Sequence, residues 1–230
     1  VTLIRACGQC PSCGTGSPVA CETPGSSNPI TAQDGSPIAQ AMFCGAFAEK
    51  IVVHRSQAVK VPETIPVKAA ALLACGVITG VGAVVNAAKI RTGQDVVVIG
   101  AGGVGLNAIQ GAHIAGARRI VAVDMTEEKL AIARDFGATD GILATNPKPW
   151  KDLRRAIGRL ADAVIVTVGA IPAYDAAPRY LAPGGQVIMV GMPHLGATSS
   201  YEPVIFAAAG LGMNGSKMGD VVIARYIPCM

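Results

Sequence analysis

Residues 95–105 read Asp95-Val-Val-Val-Ile-Gly100-Ala-Gly102-Gly103-Val104-Gly105. The first half is an unbroken run of mostly β-branched residues, the pattern of a parallel strand buried on both faces. The second half is G-x-G-x-x-G. A helical pattern follows from Val104 to about Ala115, with Gly116 placed to cap it. A second apolar strand, Ile120-Val-Ala-Val-Asp124, closes a βαβ unit and ends in an acid 19 residues after Gly105. The glycine motif alone is weak; between a strand and a helix, with that acid behind it, it is specific. Gly100 permits a tight turn, Gly102 lets the backbone approach a pyrophosphate, and Gly105 lets the helix pack on the strand. The helix N-terminus offers free N–H groups and a positive dipole end to phosphate. Asp124 can accept hydrogen bonds from both hydroxyls of an adenosine ribose and would repel a 2′-phosphate, so NAD is expected over NADP.

The alternation continues outward. Thr126-Glu-Glu-Lys129 starts a helix with acids in its first turn, where they suit the dipole, and it ends near Phe136-Gly137. Ala163–Val168 and Gln186–Val190 are two further buried strands, the second preceded by Gly184-Gly185. Lys148, Lys151, Arg154, Arg155 and Arg159 form a basic cluster, but Leu153, Ile157 and Leu160 recur between them at helical spacing. That makes an amphipathic helix with a solvated outer face rather than a nucleic-acid surface. The net charge of +4 is too small to argue for nucleic acid. With 51% hydrophobic and 15% charged residues, disorder of the bulk is excluded.

Seven cysteines are present, four of them in the pattern C-x2-C-x2-C-x7-C: Cys7, Cys10, Cys13 and Cys21. Short Gly/Pro loops between them let four thiolates converge, as in a closed, structural zinc site. Disulfides fit poorly, since no secretory signal pattern is present. An iron–sulfur cluster stays open as a rival, because the first three cysteines match a ferredoxin run while the seven-residue spacing to the fourth does not. Cys44 and Cys229 are expected to be buried structural thiols.

Ala69–Ala88 is 20 residues long without a charge, enough to span a bilayer. It holds seven Ala and three Gly but only seven Leu, Ile or Val. Small residues drive insertion weakly, so buried helix and no membrane is the expectation. Val1 and the final residues look like the interior of a longer protein.

In this order the pieces resemble the zinc-containing alcohol dehydrogenases of the medium-chain dehydrogenase/reductase superfamily, along nearly the whole chain. Cys7-Gly-Gln-Cys10-Pro-Ser-Cys13 with Cys21 is similar to the family's structural zinc lobe, which favours zinc over iron–sulfur. Gly45-Ala-Phe-Ala-Glu49 and Val52-Val53 resemble the strand returning to the catalytic domain, and Phe47 is placed in the substrate pocket. Ala74-Cys-Gly-Val-Ile-Thr-Gly80 resembles the segment carrying a catalytic-zinc ligand, here Cys75. Gly100, Gly102, Gly103, Val104, Gly105, Asp124 and Lys129 match the coenzyme fingerprint. Gly215-Ser-Lys-Met-Gly219 resembles the strand ending the coenzyme domain, and Val168, Val190, Ser216 and Met218 are placed along the nicotinamide half.

The resemblance implies an α/β fold: a Rossmann doubly wound parallel sheet plus part of a GroES-like β-rich catalytic domain. The expected domains are residues 1–76 (partial catalytic domain with zinc lobe), 77–217 (coenzyme-binding) and 218–230 (a stub of the return). It implies structural and catalytic Zn²⁺, NAD, a small-molecule alcohol or aldehyde, a cytoplasmic setting, and a homodimer or homotetramer pairing near Gly210–Gly215. The family's other catalytic-zinc ligands and relay groups match nothing here. His54, after the expected strand, and His113, within the helix, are read as surface or packing residues, and the stretch alone is expected to be inactive. A glutathione- or mycothiol-dependent formaldehyde dehydrogenase is the alternative within the family; a polyol dehydrogenase, which often lacks the four-Cys lobe, is disfavoured. A non-catalytic NAD-binding sensor is the alternative outside it. A nucleic-acid-binding zinc ribbon is ranked last, because only Arg5 is basic near the cysteines and no aromatic precedes Phe43.

Overall fold

The structure, a computed structural model, describes residues 1–25 and 30–229. It divides into two compact units, Val1–Ile78 with Asp220–Met230, and Thr79–Gly219. The Cys229 side chain, expected to be a buried thiol, lies outside the described residues.

The first unit is mostly irregular. Helix α1 (Pro11–Gly14) sits among the clustered cysteines. Among the described residues the only strand-type pairing in this unit is an isolated antiparallel bridge, Thr31 to Pro37. Gly45–Val53, expected as a strand, forms no ladder. A strand exists only through a partner's hydrogen bonds, and the Val52 carbonyl is instead taken by the Gln40 side chain at 2.5 Å. The organising residue is Gln57, which is fully buried. Its amide donates to the carbonyls of Thr2 (3.1 Å) and Phe43 (3.3 Å), and its own carbonyl accepts from Thr2 N–H (2.8 Å). His54 follows no strand; its ring caps the short 3₁₀ turn Arg55–Gln57 by accepting from Ser56 N–H. Cys44 is half-buried rather than buried; its thiol donates to the Thr2 carbonyl at 3.2 Å, and desolvation pushes its pKa up.

The apolar run forms one helical stretch: α2 (Val67–Leu72), a π turn (Leu73–Val77), α3 (Ile78–Gly82) and a second π turn (Ala83–Ala87). Val67–Ala87 is long and apolar enough to cross a membrane by length and composition. Burial is expected throughout Ala69–Ala88, but Ala69, Leu72 and Cys75 are exposed, and full burial begins only at Ile78. The buried part is the small-residue part. A Cβ on Gly80 would lie 2.4 Å from the Val104 carbonyl, and one on Gly111 would lie 2.9 Å from Val81 Cα, so this helix touches the glycine-motif helix backbone to backbone.

The second unit is a six-stranded sheet. Its strands are β1 (Asp95–Ile99), β2 (Arg119–Asp124), β3 (Asp140–Leu143), β4 (Ala161–Val166), β5 (Leu181–Met189) and β6 (Gly212–Gly215). The order is β3-β2-β1-β4-β5-β6, and every neighbouring pair is parallel. Helices α4 (Gly103–Ile114), α5 (Glu127–Asp135), α6 (Trp150–Ile157), α7 (Ile171–Ala176) and α8 (Pro203–Ala209) connect the strands, and α9 (Ile223–Tyr226) follows the sheet in the chain. Alternation along β1 builds a core on each face. Val96 and Val98 pack with Ile109 and Leu130, while Val97 and Ile99 pack with Leu153 and Tyr180. The chain runs outward from β1 through β2 to β3, then returns to β4. The reversal between β1 and β4 opens a crevice at their carboxyl ends, where such sheets bind ligands.

Several boundaries differ from expectation, and β4, expected over 163–168, runs Ala161–Val166. Gly158, at φ +81°, ends α6 before Leu160. Strand β5 starts at Leu181 and carries Gly184-Gly185 inside it, across a register irregularity between Ala161 and Ala163. Strand β6 stops at Gly215, where the expected 215–219 begins, and beyond it Met218 (φ 53°) and Gly219 (φ 66°) take left-handed conformations that no ladder accommodates.

At the amino ends of the central strands lies an ionic cluster. Asp95, fully buried, receives two hydrogen bonds from Arg118 (2.6 and 3.0 Å) and an ion pair from Arg159 (3.5 Å). Arg159 also bonds Asp162, which accepts from Asp95 N–H at 2.7 Å. Asp95→Ala removes the hub and is expected to cost about 3 kcal/mol. Denaturant unfolding checks it, and a loss below roughly 1 kcal/mol would show the cluster to be dispensable.

Candidate functional site

The glycine motif forms the β1–α4 turn. Gly100 has φ +99°, a conformation that an L side chain resists. A Cβ on Gly105 would fall 1.7 Å from the Gly100 carbonyl, so only glycine lets α4 start there. Around Gly102 and Gly103 the opposite holds: a Cβ on either meets nothing within 4 Å. Gly102 is the N-cap of α4 and no side chain caps the helix, which leaves its first-turn N–H groups open above that space. Val104 stands in the same first turn.

Asp124 ends β2 beside this turn and is 6% exposed. Its Oδ2 accepts from Ala101 N–H (2.6 Å), its Oδ1 from Met125 N–H (2.7 Å), and Lys129 Nζ lies 3.6 Å from Oδ1. Each oxygen keeps one lone-pair direction for a ligand hydroxyl. Asp124, Lys129, Gly100 and Val168 line a mostly apolar cavity of about 510 Å³, completed on its far wall by α7 and Tyr180. An apolar slot with a carboxylate at its edge suits an adenosine.

The carboxyl ends of β4, β5 and β6 supply the other half of the crevice. Val168 and Val190 are half-buried there, two residues past β4 and one past β5. Ser216 is 8% exposed, and its hydroxyl is buried without a hydrogen-bond partner. Such an orphan is expected to meet a ligand or water. Met218 is buried, and its sulfur accepts from the Thr79 hydroxyl at 3.7 Å. The open cradle, the carboxylate and this orphan hydroxyl fit a dinucleotide laid across the switch point.

The cysteine lobe belongs to the first unit. The four sulfurs of Cys7, Cys10, Cys13 and Cys21 all lie within 4.8 Å of one another, and Cys7–Cys13 and Cys10–Cys21 are each 4.0 Å apart. Four sulfurs at zinc–thiolate distance around a tetrahedral centre would be about 3.8 Å apart, so the set fits Zn²⁺. Backbone N–H groups already point at the sulfurs: Gln9 and Cys10 to Cys7, and Cys7 to Cys21. The Thr23 hydroxyl, with those backbone donors, brings the Cys7 thiol down to about 6, whereas desolvation pushes Cys13 up to about 12. Ser12 and Glu22 tie the lobe's ends together at 2.7 Å.

Cys75 is exposed in the π turn of the first unit, and among the described residues it joins no group of three or more metal-ligating side chains. Phe47 is fully exposed at 110%, so within the first unit no pocket wall forms around it. His113 lies in the last turn of α4 and is exposed, as a surface residue. Sequence reading missed the Ala101 N–H on Asp124, the cavity wall from α7 and the Asp95 cluster. Only the last left a signal: Asp95 opens β1, and Arg118 stands immediately before its parallel neighbour β2.

The fold and the glycine turn define a doubly wound parallel α/β unit, carried in one chain with a four-cysteine lobe. Residues 103–229 match the zinc-binding dehydrogenase family model, and the chain belongs to that family. It is 37% identical over 207 residues to alcohol dehydrogenase B of Mycobacterium tuberculosis, covering 85% of this chain and 55% of that protein. It is 34% identical over 239 aligned positions to S-(hydroxymethyl)glutathione dehydrogenase of Escherichia coli, covering 97% and 64%. Among solved structures, an alcohol dehydrogenase zinc-binding domain protein from Burkholderia ambifaria superposes with a TM-score of 0.90 at 30% identity, covering 97% and 64%. Benzyl alcohol dehydrogenase from Acinetobacter calcoaceticus gives 0.88 at 27% identity, covering 97% and 63%. The chain thus spans between 55% and 64% of the length of these relatives.

Proposed function

We propose that this chain is the coenzyme-binding and structural-zinc portion of an NAD-dependent alcohol dehydrogenase acting on a small alcohol or aldehyde. The carrying observation is the open glycine cradle at the α4 N-terminus beside a buried Asp124 that lines an adenosine-sized cavity. In this reading the α4 N–H groups hold the pyrophosphate, Asp124 takes the ribose hydroxyls, and Lys129 steadies that carboxylate. Val168, Val190, Ser216 and Met218 border the nicotinamide, which when bound supplies the hydride acceptor. The four-cysteine lobe holds a structural Zn²⁺, and Cys75, already exposed, serves as one thiolate of a catalytic zinc.

The family's second chemistry is supported by the E. coli relative, which matches 97% of this chain and is an S-(hydroxymethyl)glutathione dehydrogenase. Self-association through β6 is part of the same reading. That strand is an end of the sheet order, and pairing would cover its open edge.

Titration of the chain with NAD and NADP tests the coenzyme assignment. NAD is expected to bind at least tenfold more tightly, and Asp124→Gly is expected to bring the two affinities to within about threefold. Equal affinity for both in the wild-type chain would refute the role of Asp124.

A further inference from the structure

Tyr174 sits at the junction between the two halves of the crevice. It belongs to α7, whose Pro172, Ala173 and Ala176 line the adenosine-side cavity. Its own side chain is 8% exposed, and its hydroxyl donates to the carbonyl of Gly191 in the turn after β5. That turn is held from the other side as well: Val190 and Gly191 N–H both donate to the Val166 carbonyl, at 3.0 and 2.9 Å. Gly191 is therefore held at its N–H by β4 and at its carbonyl by α7.

The turn lies close against its neighbour in this position. A Cβ on Gly191 would lie 2.3 Å from the Val168 backbone, and one on Gly169 would lie 2.4 Å from the Met192 carbonyl. The turns after β4 and β5 thus run backbone against backbone; the phenol ties α7 to the second of them at Gly191, and Asp175 accepts from Ser199 and Ser200 farther along the same segment. Burial pushes the Tyr174 pKa up, so the hydroxyl stays a donor at neutral pH.

The geometry points to Tyr174 as a positioning residue for the nicotinamide half of the coenzyme, acting through the Gly191 peptide rather than by touching the ligand. The inference rests on the NAD reading above. Asp124 marks the adenosine side at β2, so a dinucleotide crossing the switch point places its other half over the ends of β4, β5 and β6. Val190 and Gly191 form that border. With the phenol in place the turn is set before the ligand arrives. Without it, part of the nicotinamide binding energy goes into ordering the turn. The adenosine half, which meets α7 on another face, does not depend on the hydroxyl.

The test compares NAD with ADP-ribose, which lacks the nicotinamide, by calorimetry on wild-type and Tyr174→Phe chains. Tyr174→Phe is expected to weaken NAD about five- to tenfold and ADP-ribose less than twofold. Equal loss on both ligands, or no loss on either, would overturn the role of Tyr174 while leaving the NAD reading intact. A wild-type chain that binds neither ligand refutes the NAD reading itself. Amide exchange on the wild-type chain keeps the inference testable if the variant folds poorly. NAD is expected to protect residues 190–196 and ADP-ribose to leave them unchanged; equal protection by both would again overturn it.

Discussion

Stripping metal from the purified chain is expected to unfold the Cys7–Cys21 lobe and leave the six-stranded unit standing. Among the described residues of the lobe only Val19 is buried and hydrophobic, while the four thiolates converge to within 4.8 Å. A loop so poor in core depends on its metal for structure. The sheet unit carries its own cores on both faces and needs no such support. Metal analysis should find one zinc per chain, and Cys10→Ser should lower it to near zero. Amide exchange should then show lost protection across residues 7–21 and none lost across β1, β2 and β4. Iron with sulfide in the purified chain, or a lobe that keeps its protection after chelation, would contradict the assignment.

A contrasted pair of glycine replacements should separate folding from binding. Gly102→Val places a side chain in the open cradle, where the backbone is extended (φ −85°) and nothing lies within 4 Å of the new Cβ. Stability should stay within about 0.5 kcal/mol, and NAD affinity should fall roughly a hundredfold as the branched side chain blocks the pyrophosphate. Gly105→Ala places its methyl 1.7 Å from the Gly100 carbonyl, so α4 must move off β1. The expected cost is about 3 kcal/mol or more. Thermal melting and calorimetry on both variants decide it. NAD binding that survives Gly102→Val would place the coenzyme elsewhere.

The contrast shows which parts of the site were legible beforehand. Residues 95–124 encode strand, turn, helix and acid within one continuous segment, and each residue there answers to a local need. The cysteine spacing is local in the same way. Asp95 is different: its partners Arg118, Arg159 and Asp162 come together only because β1 lies between β2 and β4. Tyr174 and Gly191 are likewise joined by the neighbouring ends of β4 and β5, and no periodicity announces it. The stretch around Phe47 failed for the converse reason. Its residues suit a strand, but the ladder partner is a property of the fold, and Gln40 takes the Val52 carbonyl instead. The apolar run from Ala69 misled because composition gives no direction; only the half carrying Gly80 and Gly82 meets a close neighbour.

The first compact unit is assembled from two stretches, Val1–Ile78 and Asp220 onward, with the whole sheet unit between them in the chain. During synthesis on the ribosome, the sheet-forming segment is therefore complete before the last piece of the first unit has been made. Domains fold as they emerge, at roughly 5–20 residues per second. The sheet unit can close as soon as β6 leaves the exit tunnel, while the first unit must wait, with part of its surface uncovered, for residues beyond Asp220.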